Sequence, residues 1–222
     1  MENQQIKVIS QWLELWHDAG VSLVSATEIA QKVVDAYSEN HRHYHTLDHV
    51  NHCLTVLDTI PNVIEERQDI QFAIWFHDLI YDPESGLNEH DSALFAYNWL
   101  TKQNIANPAN VRDLIQITGD YLHPPEGNFS VQIMHDVDLS ILASPDETYR
   151  QYALGIRAEY SHLNDSEFYS ARQKFLHGLL ERTPLFLLEA LEHQWEGQAR
   201  TNMKAEIGRI EKYKNLSAST KK

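Results

Sequence analysis

The sequence predicts an all-α protein folded as a single domain. Apolar residues recur at helical spacing, no run alternates apolar and polar residues at period two for long, and glycine is scarce, with 8 in 222 residues. Ile6, Ile9, Leu13 and Trp16 line the apolar face of a first helix. Thr27 and Glu28 open a second, running to Tyr37. Thr46 suits the N-cap of a third, which carries Val50, Leu54 and Leu57 and stops before Pro61. A fourth covers 70 to 80 and ends near Pro83, and its near-continuous apolar run marks it as central. A fifth spans 89 to 101. Pro108 fits the first turn of a sixth, ending near Gly119. The stretch YLHPPEGN, 121 to 128, reads as a loop. Further helices are expected at 131–142, 146–163, 166–181 and 185–212. No repeat and no linker rich in Gly, Ser or Pro divides the chain, so the domain is expected to span 1–213, with 214–222 a polar, disordered tail.

Composition narrows the partners. Apolar residues make up 42% of the chain, an ordinary globular value. The net charge of -14, from 18 basic against 32 acidic residues, disfavours a DNA or RNA duplex and an anionic membrane surface. A nucleotide stays admissible, because a metal or a few local arginines can reverse the field in one pocket. The single cysteine, Cys53, excludes an intramolecular disulfide and fits a reducing, cytoplasmic setting. The N-terminal stretch lacks the pattern of a signal peptide, and no window reaches the roughly 18 apolar residues of a membrane span. The oligomeric state stays open, a homodimer included.

The 13 histidines are the unusual count, and five of them lie between 41 and 52. Within WFHDLIYD, His77 and Asp78 stand side by side in an apolar helix. Neighbours on a helix are about 100° apart, so both can reach a metal only from its edge. An unpaired buried Asp78 would cost several kcal/mol, which a divalent cation offsets; a metal-free His–Asp hydrogen bond is the plain alternative. His49 sits on the third helix beside core positions, where a histidine is more often a satisfied core residue than a ligand. Asp138 interrupts the apolar run VDLSIL and asks for a partner, whereas Asp136 reads as a solvated carboxylate.

In order these residues spell His, then His-Asp, then Asp. The pattern resembles the HD superfamily of metal-dependent phosphohydrolases. The segments RHYHTLDHV, AIWFHDLIYDP, NEHDSA, ITGDYLH, DVDLSIL, IRAEY and ARTNMKAE resemble a bacterial subfamily of it, over residues 42 to 206. The resemblance implies an HD-type helical bundle with His49, His77, Asp78 and Asp138 as metal ligands. Asp78 would also orient the attacking water or bridge to a second ion. Two His and two carboxylates suit one or two divalent ions of Mn, Mg, Co, Ni or Fe. The implied activity is hydrolysis of a small phosphate ester, by superfamily analogy a nucleotide, as a phosphomonoesterase or phosphodiesterase. A di-iron HD-type oxygenase and a metal-binding regulatory module without turnover are the alternatives.

His123 is expected to hold a second metal or bind phosphate, although His90 and His135 fall in the same interval. Arg42, Tyr44 and His45 precede the His49 helix; Arg42 is a natural phosphate clamp and His45 a candidate phosphate donor or general acid. Glu89 can open a helix, hold a ligand in place, or act as acid or base. Arg157 and Tyr160 share a helical face, and with Arg200 and Asn202 either line the substrate pocket or lock the last helices. Tyr149, Tyr152 and Ile156 read as packing.

Overall fold

The computed structural model describes residues 2–61, 66–124 and 127–219, with side chains over 9–61, 66–124 and 127–217. Among these the secondary structure is helical throughout, with no strand. The helices are α1 (Glu2–Asp18), α2 (Leu23–Tyr37), α3 (Leu47–Leu57), α4 (Arg67–Phe76), α5 (Asn88–Lys102), α6 (Pro108–Gln116), α7 (Phe129–Leu139), α8 (Asp146–Glu159), α9 (Asp165–Glu181) and α10 (Glu189–Ser219). Short 3-10 turns continue α6 and α7.

Local chemistry accounts for most starts. Ser22 accepts the Ser25 N–H and opens α2 before the expected Thr27. Thr46 caps α3 as expected, accepting the Asp48 N–H at 3.3 Å. Asn164 and Glu167 form a reciprocal capping box on α9.

The ends follow tertiary bonds instead. α4 stops at Phe76 rather than running to Ile80, because the chain past it finds distant partners. The Arg42 guanidinium donates to the carbonyls of Asp78 at 2.7 Å and Leu79 at 3.0 Å. Ser92 takes both backbone polar groups of Ile80. These bonds take up carbonyls and an N–H that the helical ladder would otherwise have used. α8 likewise ends at Glu159, and Arg157 binds the freed carbonyls of Tyr160 and Leu163.

The stretch before α10 is held open in the same manner. Glu196 accepts from the N–H groups of Leu185 and Phe186, and Asp136 from those of Leu187 and Leu188. At its other end α10 runs on as helix through Ser219, where a polar tail had been expected from 214. Residues 220–222 and the Ile6 side chain fall outside the described residues.

Two apolar clusters form the interior. The first gathers α1 to α7 around Trp12, Trp16, Phe72, Trp75 and Phe76, with Trp12 and Trp75 edge to face at 4.8 Å. α4 is its centre: Ile70 and the five consecutive residues Phe72–Phe76 are all buried. The second joins the 3-10 turn after α7 to α8, α9 and α10. The seam falls within α7, where Val137 belongs to the first cluster and Leu139 to the second. Asp138 lies between them.

Candidate metal centre

His49 occupies the first turn of α3, His77 and Asp78 the turn just past α4, and Asp138 the last turn of α7. Packing of the three helices brings four polar side chains to one point. His49 Nε2 lies 3.0 Å from His77 Nε2 and 3.1 Å from Asp138 Oδ1. Asp78 Oδ2 lies 3.0 Å from His77 Nε2 and 3.6 Å from His49 Nε2. His77 Nε2 is 3.6 Å from Asp138 Oδ1.

The donor set fits a divalent cation. His77 Nδ1 donates to the Ile74 carbonyl at 2.9 Å, which turns Nε2 inward, where its lone pair would meet a cation in place of a proton. That nitrogen meets another imidazole nitrogen and two carboxylates. Two nitrogens at hydrogen-bond distance can share only one proton, and a cation would satisfy His49, His77 and Asp138 at once. Among the described residues, His49, His77 and Asp138 offer ligand atoms that all lie within 4.8 Å of one another, and Asp78 stands beside this set through its contacts to His77 and His49. Two nitrogens and carboxylate oxygens suit Mn, Mg, Co, Ni or Fe. Cys53 lies beside the cluster, its Sγ 3.8 Å from His49 Nδ1, and burial pushes its thiol up.

Electrostatics agree with the geometry. Burial pushes the Asp138 carboxyl up, but the imidazoles of His77 and His49 outweigh it and hold the group well below the usual range. Asp78 is held low in the same way by His77 and His45. Burial lowers His77, and the charges of Asp78 and Asp138 overcome this and raise it.

Around this point the chain builds a supporting shell. Tyr121 donates its hydroxyl to Asp138 Oδ2. His45 Nδ1 donates to Glu159 Oε2 at 2.7 Å, and its Nε2 lies 4.0 Å from Asp78 Oδ2. Glu159 Oε1 accepts the backbone N–H groups of His43, Tyr44 and His45 at 2.7–2.9 Å, and Tyr81 donates to Oε2. Burial raises Glu159, but the His45 hydrogen bond and charge and these N–H bonds bring it down to about 2. α8 can approach this segment because Gly155 faces it: a Cβ there would lie 3.1 Å from the His43 carbonyl oxygen and from Tyr44 Cβ.

A cavity of about 520 Å³ opens above the cluster. Tyr44, His45, Asp78, Glu89, Tyr121 and Asp138 line its polar end. Burial pushes the Glu89 carboxyl up, and the negative charge of Asp78 adds to this, so Glu89 holds its proton to higher pH than a free glutamate. Tyr152 and Ile156, expected as packing, also line the cavity, whereas Tyr149 is fully buried.

Four residues expected to bind substrate do not line this cavity. Arg42 is buried and turned to backbone: besides the carbonyls of Asp78 and Leu79 it binds that of His45 and the Glu39 carboxylate. His123 points to solvent with 82% of its side chain exposed, and pairs with Asp120. The residue that the 121–123 loop sends to the site is Tyr121, two positions earlier. Arg157 binds Asp165 and the end of α8, outside the cavity that holds the cluster. Arg200 ties Glu196 to the carbonyls of Leu180 and Arg182. Of the other histidines in the interval, His135 is held between Asp136 and Arg182, and His90 is exposed.

Asp136 is fully buried rather than solvated. Sequence reasoning also missed Glu159 as the anchor of the 43–45 segment, Tyr121 as the Asp138 partner, and Arg172 in the cavity wall. No protein-family model, curated protein or solved structure matches the chain, so what the site can do must be read from its own residues. No helix among the described residues is long and apolar enough to cross a membrane.

Proposed function

We propose that this chain is a metal-dependent phosphohydrolase of the HD type that acts as a phosphomonoesterase on a small phosphate ester. The observation that carries the reading is the convergence of two imidazole Nε2 atoms, 3.0 Å apart, with the carboxylates of Asp78 and Asp138 at the base of a cavity. Their chain order, His49, His77-Asp78 and Asp138, is the order that the HD resemblance requires. These four residues would hold the cation, which when bound lowers the pKa of a water and polarises a phosphoryl oxygen. The ligand atoms form one cluster among the described residues, and His123 stands apart from it, which supports one ion rather than two.

The remaining roles belong to side chains of the cavity. Asp78 is ionised and accepts from the attacking water, which it orients. His45, kept in place by Glu159, presents its Nε2 edge to the phosphoryl group. Glu89, protonated to higher pH, gives its proton to the departing oxygen. Water oxygen bonds to phosphorus and the ester P–O bond breaks. One water proton stays on the phosphate and the other returns to Glu89, so the alcohol and inorganic phosphate leave balanced.

The test is metal analysis of the purified protein, followed by phosphate release from a panel of esters with each of Mn, Mg, Co, Ni and Fe. Bound divalent metal and metal-dependent phosphate release are expected. Metal without turnover would convert the reading to a regulatory module, and iron with oxygen consumption to an oxygenase. Absence of metal together with an unchanged His77→Ala variant would end it.

A further inference from the structure

The cavity has a second end, and its chemistry narrows the substrate. Its apolar lining is Leu139, Ile141, Leu142, Ile156, Phe168 and Phe175, and Ser85, Asn88, Thr118 and Tyr160 line it too. The one permanent cation in the lining is Arg172, and it is already neutralised. Its Nε donates to Glu206 Oε1 at 2.8 Å, its Nη2 to Oε2 at 3.2 Å and its Nη1 to the Tyr152 hydroxyl at 3.1 Å. Tyr149 adds a further hydrogen bond to Glu206. Turning the guanidinium toward a ligand would strand Glu206 as an unpaired carboxylate that is 7% exposed.

The cavity therefore offers an apolar surface and, among the described residues, no unpaired arginine or lysine. A second or third phosphate would find no cation there, and it would lie in a cavity that already holds Asp78, Glu89 and Asp138. The volume fits one small molecule.

Resting on the phosphohydrolase reading, we infer that the substrate is a phosphate monoester of an apolar, ring-sized alcohol, with a single phosphate at the metal end and the apolar group against the Phe168–Phe175 wall. Nucleoside diphosphates and triphosphates, and esters of small polar alcohols such as glycerol, are expected to be poorer substrates.

Two parallel measurements on the metal-loaded full-length protein test this. The first compares kcat/KM for 2-naphthyl phosphate, glycerol phosphate, AMP, ADP and ATP. Naphthyl phosphate should exceed glycerol phosphate by at least about tenfold, since burying even two carbons is worth that much, and ADP and ATP should fall below AMP. Phe175→Ala, at a half-buried position, and Ala171→Trp, at an exposed position on the rim, should each shrink the naphthyl-to-glycerol ratio severalfold. The second measurement is calorimetric binding of naphthylphosphonate against methylphosphonate, with a negative heat-capacity change expected for the aryl compound only. Equal or better turnover of glycerol phosphate, ADP or ATP overturns the inference and leaves the hydrolase reading standing. Tight aryl phosphonate binding with no ester hydrolysed does the reverse. Hydrolysis of none and binding of neither overturns both.

Discussion

The two halves of this molecule handle buried charge in opposite ways. In the half built on α3, α4 and α7, His49, His77, Asp78 and Asp138 turn their side-chain ligand atoms toward one another, and among the described residues no arginine or lysine pairs with those side chains. In the half built on α8 to α10, one buried pair and two partly exposed pairs are closed. Arg172 is matched to Glu206, Arg157 to Asp165 and Arg200 to Glu196. Even within α7 the contrast holds two residues apart. Asp136 is saturated by the Leu187 and Leu188 N–H groups and by His135, while Asp138 receives imidazoles and one tyrosine hydroxyl. A completed pair is structure; a cluster that a proton cannot complete is a place for a ligand.

This comparison can be broken most forcefully at the cluster itself. His77→Ala and Asp138→Ala should each abolish stoichiometric metal binding and lower phosphate release more than about 100-fold, beyond the 10–100-fold cost of removing a residue that only orients a ligand. Metal analysis of the folded variants reads this directly, and full metal occupancy in His77→Ala would contradict it. In the other half the effect should fall on stability. Arg172→Met leaves Glu206 buried without its partner and should cost about 3–5 kcal/mol in denaturant unfolding. The double variant Arg172→Met with Glu206→Leu should recover most of that. A single variant as stable as the parent would show that the pair is not the closed unit described.

Glu159 sharpens the comparison, because it belongs to the second half and serves the first. Glu159→Ala leaves the N–H groups of His43, Tyr44 and His45 without their acceptor, a loss of about 1–3 kcal/mol. It should also reduce turnover through misplaced His45, with metal content unchanged. The same residue gives a pH signature. Its carboxyl is lowered from 4.5 to about 2, so the stability it contributes is present above pH 4.5 and is lost as pH falls toward 2. The stability difference between the parent and Glu159→Gln should therefore shrink over that window, and a difference that grows on acidification would reverse the assignment. The smallest effect is expected at His123. His123→Ala should change metal content and turnover by less than twofold and stability by less than about 0.5 kcal/mol, as for a solvated surface residue.

Several features were legible in the sequence because they depend on near neighbours. The helical period, the Thr46 cap and Pro108 at the start of α6 are local matters of backbone and side-chain geometry. The apolar run around His77 marked α4 as the central helix, and the burial of Phe72 through Phe76 bears this out. Asp78 and Asp138 stood out for a related reason, since an acid inside an apolar stretch has few ways to be satisfied, whereas His49 joined the set through the order of the HD resemblance.

What the chain alone determined, then, is its all-helical class and the kinds of side chain that must meet in its interior. The tertiary structure decided where the long side chains go. Arg42, Arg157 and Arg200 have the chemistry of phosphate clamps, yet each is drawn to carbonyls freed where a helix ends or a loop turns. Those carbonyls lie as many as 37 positions from the arginine along the chain. Tyr121 reaches Asp138 while His123 faces water, a choice made by how the loop packs rather than by its composition. Periodicity and residue chemistry report what a segment needs; only the packed molecule shows which distant group supplies it, because long flexible side chains bond wherever an unsatisfied buried group costs most.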